Sequence, residues 1–233
     1  MTGHQQLRIA IDGPAAAGKS TVAKKIAKEL SIVYIDTGAM YRALTLKALA
    51  TGIDAEDENS LNELLHHTDI SLTQNETGTR QLVYLDGKDV TDEIRSQEVS
   101  NHVSHVAKHP LVRDEMVKRQ KKLANNVNVV MDGRDIGTNV LPNAEIKIFL
   151  IASVNERAKR RCNENKSRGI SLSLEQLKQE IKERDYRDIN RSSSPLVQAD
   201  DAIAIDTTNM SIDQVVSEIL QKVHAFLEKR NDK

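Results

Sequence analysis

The segment GPAAAGKST at residues 13–21 constrains the fold of this chain more than any other. Four residues separate Gly13 from Gly18, and Lys19 and Ser20 follow, which is the spacing of a loop that holds the phosphates of a nucleoside triphosphate. Such a loop works between a buried strand and the start of a helix, where backbone N–H groups and the helix dipole face the anion. The flanks agree: Leu7–Asp12 reads as a buried strand, and Gly18–Leu30 as a helix with Val22, Ala23, Ile26, Ala27 and Leu30 on one stripe. Gly13, Pro14, Ala15, Ala16, Ala17, Gly18, Lys19, Ser20 and Thr21 are therefore the expected cradle for the triphosphate. Lys19 brings a full charge to the β- and γ-phosphates, and the Ser20 hydroxyl is the expected ligand of Mg²⁺. Alanine fills the loop centre, and because alanine tolerates positive φ poorly, the centre is expected to keep φ negative. The loop does not reveal where the terminal phosphate goes.

Further short apolar runs alternate with helical periods. Ile32–Asp36, Val127–Asp132, Glu145–Ile151 and Ala202–Asp206 read as strands. Ala39–Ala50 reads as a helix stopped by Gly52, and Ser211 to about Glu228 as a helix opened by the capping box Ser211/Gln214. Continuous apolar strands separated by helices predict a parallel sheet covered on both faces. One region breaks this rhythm. Asp69–Val90 carries turn signals at Gly78 and at Asp86-Gly87, which predicts a small antiparallel sheet, and Ser96–Lys108 reads as a helix after it. Residues 64–107 are thus expected to be an inserted subdomain, with 1–63 and 108–233 forming the core.

Bulk properties remove other classes. The net charge of −1 gives no global attraction to nucleic acid, and aromatics at 3 % leave little for a base-stacking surface. No apolar run reaches membrane-spanning length, no targeting run opens the chain, and the one cysteine, Cys162, makes no internal disulfide; a cytoplasmic protein is expected. His102, His105 and His109 have helical spacing but no fourth partner, so they are not expected to bind metal.

The arginines narrow the chemistry. Arg157, Arg160, Arg161, Arg168, Arg184, Arg187 and Arg191 crowd the stretch 157–191. On a helix opening at Ser173, Arg184, Arg187 and Arg191 share one face, beside Asp185 and Asp188. Such a face suits the joining of two polyanions, whose repulsion it neutralises. The nearest match to a guanine-specifying Asn-Lys-x-Asp is Asn165-Lys166-Ser167-Arg168, which ends in the wrong charge. Two further loops, DTGAMYR from Asp36 and DGRDIGT from Asp132, leave strand ends at the edge where such sheets bind ligands.

GPAAAGKST, DTGAMYR, DGRDIGT and KERDYRDINR, in this order, resemble the bacterial cytidylate kinases over nearly the whole chain. The resemblance implies an α/β fold: a P-loop core with a five-stranded parallel sheet flanked by helices, a small α+β insertion for the monophosphate, and an arginine-rich lid at about 157–191. It implies transfer of the γ-phosphoryl of ATP to CMP or dCMP with Mg²⁺, by a monomer with no nucleic-acid or membrane partner. It also implies roles. Thr37 would touch the acceptor sugar or phosphate, and Arg42, Arg134 and Arg191 would hold the acceptor phosphate. Ser104, Arg113 and Asp135 would meet the base, and Arg184 and Asp188 the ribose. Arg187 would be free for the transferring phosphoryl, while Asp132 would serve either Mg²⁺-bound water or a sugar. A kinase for another acceptor such as UMP, and a nucleotide-dependent switch that hydrolyses ATP slowly, are the competing readings.

Overall fold

The computed structural model describes residues 6–75, 80–167 and 169–231. The chain opens with β1 (Arg8–Asp12), α1 (Lys19–Leu30), β2 (Val33–Asp36), α2 (Thr37–Thr51) and α3 (Glu58–His66). It continues through β3 (Ile70–Gln74), β4 (Gln81–Leu85), β5 (Lys88–Asp89), α4 (Gln97–Val106) and α5 (Pro110–Leu123). It ends with β6 (Val129–Asp132), β7 (Ile146–Ile151), α6 (Val154–Ser167), α7 (Leu174–Asn190), β8 (Ile203–Asp206) and α8 (Ile212–Asn231). Among the described residues no helix is long and apolar enough to cross a membrane.

Five parallel strands form the central sheet in the order β2-β6-β1-β7-β8. Their central residues, among them Ile9, Ile11, Val130 and Ile148, are buried, as a sheet covered on both faces requires. One face packs on α1 and α8 through Val22, Ile26, Val215, Ile219 and Val223. The other gathers Ile35, Val129, Met131, Ile136 and Val140. Three neighbouring strands, β1, β6 and β2, end in aspartate at Asp12, Asp132 and Asp36, so three carboxylates meet at one edge of the sheet.

The expected antiparallel sheet is present as β3-β4-β5. Asp86 (φ 50°) and Gly87 (φ 81°) make its tight turn, both left-handed as a two-residue hairpin of native twist demands. Gly78 lies outside the described residues. An apolar cluster of Met40, Leu44, Leu61, Leu65, Val83, Ile94, Val103, Val112 and Met116 joins this sheet to α2, α3, α4 and α5, reaching beyond 64–107 on both sides. Two side chains tie it to the core. Gln81 Oε1 accepts from the Asp36 N–H at 3.0 Å, and Gln74 donates to the Tyr34 carbonyl at 3.4 Å, so the outer edge of β2 is partly covered.

Helices α6 and α7 pack through Ala158, Leu177 and Ile181 over the mouth of the sheet. Capping boxes open α7 at Ser173/Gln176 and α8 at Ser211/Gln214. The helical face expected to end at Arg191 is one residue shorter: Arg191 takes an extended conformation (φ −65°, ψ 145°) as the cap of α7. Arg168 lies outside the described residues.

Candidate active site

The phosphate loop sits where the sequence puts it, between β1 and α1. Gly13 has φ 144°, and a Cβ there would stand 2.1 Å from the Leu150 carbonyl oxygen, so no other residue fits. The loop centre differs from expectation. Ala16 takes φ 60°, a left-handed conformation that costs a non-glycine residue about 1–2 kcal/mol. A closed loop of this length has to reverse its backbone between two fixed glycines, and that geometry overrides the preference of alanine.

Lys19 is only 6 % exposed, and its ammonium donates to the Pro14 carbonyl at 2.8 Å across the loop. Burial, with Arg134 nearby, pushes its pKa down to about 7. Ser20 Oγ donates to Asp132 Oδ2 at 2.8 Å, and the Tyr34 hydroxyl donates to Asp132 Oδ1 at the same distance. Burial and the charge of Asp36 raise the Asp132 carboxyl to about 6. Asp132 therefore stands beside the loop serine, on the donor side of the crevice.

One cavity of about 710 Å³ runs from this loop to the acceptor side. Its wall includes Lys19, Ser20, Thr37, Arg42, Ser104, Arg113, Asp132, Arg134, Asp135, Arg184, Arg187, Asp188 and Arg191. All the acceptor-side residues named from sequence thus come together; of the loop residues, Gly13, Pro14 and Ala17 are not in the wall. Helices α2, α4, α5 and α7 each contribute, which is why the candidates are scattered over 155 positions of sequence between Thr37 and Arg191.

The acceptor side is a chain of buried charges. Arg113, 2 % exposed, pairs with Asp135 at 2.6 Å and lies over the Tyr41 ring, 5.2 Å from its centre. Arg191 lies 3.7 Å from Asp135 and 3.8 Å from Asp188, and Arg134 donates to Asp188 at 2.9 Å. Burial pushes the Asp188 carboxyl up, but Arg134, Arg184 and Arg191 together hold it below its ordinary value. Arg42 donates to the Ile94 carbonyl and to Ser100 Oγ; burial, then Arg184 and Arg161, lower its pKa to about 9. Arg184 is lowered to about 10 by burial and by Arg134, and its Nε has no hydrogen-bond partner. Positive charge is in excess here, which suits an anionic ligand.

Some expected side chains are engaged differently. DTGAMYR is not a free loop: Asp36 caps α2 by accepting from the Ala39 N–H at 3.1 Å, and Thr37 already lies in the first turn. The Thr37 hydroxyl donates to the Asp132 carbonyl at 2.7 Å, which ties two strand ends together. Arg187 is not free; its Nε donates to Ser104 Oγ at 3.1 Å. The lid arginines carry partners of their own, Arg157 with Asp185 at 2.6 Å, Arg160 with Glu156 and Arg161 with Glu164. Tyr34, Tyr41 and Asp12 were missed; Tyr41 stands inside a quoted motif, whereas Asp12 and Tyr34 read as ordinary strand residues. His102 bonds with the Glu98 carbonyl within α4, while His105 and His109 bond with Glu56 and the Ala55 carbonyl in the segment before α3.

The state of Lys19 gives a testable proton balance. With its pKa at about 7 the free side chain is mostly neutral at pH 8. Triphosphate beside it restores the charge, so binding of ATP at pH 8 is expected to take up close to one proton. Calorimetry in two buffers of different ionisation heat measures this, and no uptake would show that Lys19 is already charged.

Comparison with known proteins identifies the family. The cytidylate kinase family model matches residues 9–225. A cytidylate kinase of Anoxybacillus flavithermus is 60 % identical over 224 residues, 96 % of this chain and 99 % of the relative. One of a Geobacillus species is 62 % identical over 218 residues, 94 % of this chain and 96 % of the relative. A solved structure of an uncharacterized protein from Eubacterium ventriosum shares the fold, with a TM-score of 0.51 at 15 % identity, over 95 % of this chain and 99 % of that one. The chain belongs to the cytidylate kinase family.

Proposed function

We propose that this chain transfers the γ-phosphoryl of ATP to CMP or dCMP, giving CDP or dCDP. The observation that carries the reading is the single cavity that joins the phosphate loop to the arginine–carboxylate wall of the acceptor side. The loop amides and Lys19 hold the donor phosphates. Arg42, Arg134 and Arg191 hold the acceptor phosphate, while Ser104, Arg113 and Asp135 take the base and Arg184 and Asp188 the ribose. Phosphoryl transfer needs little covalent help from the protein; alignment and charge neutralisation supply most of the rate. Arg187, on α7 and bonded to Ser104 Oγ, would stabilise the transferring group once the acceptor phosphate draws it in. The Ser20 hydroxyl and Asp132 carboxylate, 2.8 Å apart, are the hard oxygens that suit Mg²⁺. When bound, that ion would shield the β- and γ-phosphate oxygens. Both halves of the cavity come from one chain, which supports a working monomer.

The test is ADP release in a coupled assay with CMP, dCMP, UMP, AMP and GMP offered in turn. Release that depends on CMP or dCMP supports the reading; release indifferent to any acceptor would make the protein a hydrolysing switch instead.

The lid follows from the same reading. Helices α6 and α7 touch α4 through Arg161 to Ser100 and Arg187 to Ser104, two single hydrogen bonds at 3.3 and 3.1 Å. Arg42 and Arg184 repel across that contact. Residues 157–191 are expected to open when empty and to close on two nucleotides, with amide exchange in α7 slowed by a linked ATP–CMP mimic. High protection there without ligand, unchanged by the mimic, would rule out a moving lid.

A further inference from the structure

Asp12 is the buried carboxylate that the transfer chemistry does not use. It is the last residue of β1 and immediately precedes Gly13. It is 5 % exposed, and both of its oxygens are committed: Oδ1 accepts from the Ile136 N–H at 2.8 Å and Oδ2 from the Gly137 N–H at 2.7 Å. Those amides open the five-residue π turn Ile136–Val140, directly after Arg134 and Asp135. The approach is close. A Cβ at Gly137 would lie 3.4 Å from Asp12 Oδ2, at van der Waals contact, and 3.2 Å from the Lys147 side chain, so the loop lies directly on the carboxylate.

The geometry points to Asp12 as a positioning residue that sets the Arg134-Asp135 loop against the phosphate loop and so governs acceptor affinity and base discrimination. This rests on the cytidylate reading of the site. A carboxylate is the side chain that satisfies two converging N–H donors at once, because an amide of the same shape turns one acceptor into a donor. Asp12 does not line the cavity. It acts through Asp135, one residue before the first amide it holds, and through Gly13, its own neighbour. Burying it is unfavourable, since burial raises its carboxyl to about 6; the two amides offset part of that.

Asp12→Asn tests the assignment. KM for CMP is expected to rise by about tenfold or more and the ratio of kcat/KM for CMP over UMP to fall by a similar factor, while KM for ATP moves less than about threefold. A variant with lower melting temperature but unchanged CMP/UMP ratio would make Asp12 merely structural and overturn the proposal. A wild type that uses UMP as well as CMP would defeat the cytidylate reading itself, which the wild-type arm detects separately. Amide exchange in the wild type tests the contact itself even if the variant does not fold. The Ile136 and Gly137 amides are expected to be protected like those of the central strands, and exchange at the rate of open loop amides would refute the contact.

Discussion

Lys19→Ala is expected to lose roughly 10³-fold or more in turnover, because it removes a charge that follows the moving phosphoryl. It is also expected to melt no lower than the wild type in the absence of nucleotide. The second half follows from the sign of the Lys19 shift. Its pKa in the folded chain is about 7 against an ordinary 10.5, so between those values the unfolded chain holds a proton that the folded chain lacks. Stability carried by this group therefore rises with pH across that window, and the burden of burying Lys19 is greatest at and below pH 7. Removing the side chain relieves the burden. The gain in melting temperature is expected to be largest near pH 7 and to shrink toward pH 10. Near-normal kcat in this variant would remove the phosphate-loop assignment; a large drop in melting temperature would mean that Lys19 supports the fold through its bond to Pro14.

The choice of base is expected to be almost as steep, with CMP and dCMP good acceptors and UMP poorer by about 10²–10⁴-fold in kcat/KM. Cytosine presents an amino donor at position 4 and acceptors at N3 and O2. In the proposed base site Asp135 would accept from the amino group, and Arg113, 2.6 Å from that carboxylate, would donate to N3 or O2. Uracil reverses the first two groups, setting carboxylate against carbonyl and guanidinium against N–H. Asp135→Ala is expected to lose CMP activity and to narrow the gap to UMP. It also strands Arg113, so a companion variant is needed. Asp135→Asn keeps the shape and offers an N–H to the uracil carbonyl, and it is expected to narrow the gap further by lifting UMP. Equal use of both nucleotides by the wild type, or a CMP preference untouched by either variant, would overturn the base site.

What the sequence revealed was mostly local. The strands, the loop between β1 and α1, the Asp86-Gly87 turn and the capping boxes at Ser173 and Ser211 are each written within a few neighbouring residues. The candidate site residues rest on a different reason: their order and types match a known pattern, and the cavity gathers every acceptor-side member of it. What was hidden depends on distance. The bonds from Asp12 to Ile136 and Gly137 span more than 120 positions, and the pairing of Arg157 with Asp185 spans 28. The left-handed Ala16 is a case of loop closure overruling residue preference. Thr37 shows the converse, a hydroxyl whose residue type fits a substrate contact but whose bond goes to the Asp132 carbonyl.

The strand order has a consequence for biosynthesis. β1 and β2 are near neighbours in the sequence, yet they do not pair; β6, with residues 129–132, lies between them. A ribosome that has delivered both early strands therefore still lacks the piece that joins them. The cluster uniting α2 to α5, by contrast, draws on residues between Ala39 and Leu123 and is complete before β6 emerges. Vectorial synthesis thus favours an acceptor-side unit that condenses first, with two apolar strands waiting unpaired at its flank. During that interval β1 and β2 are the segments most open to wrong partners, and a chaperone that shields them until residue 132 arrives would raise the yield of native chains more than one acting later.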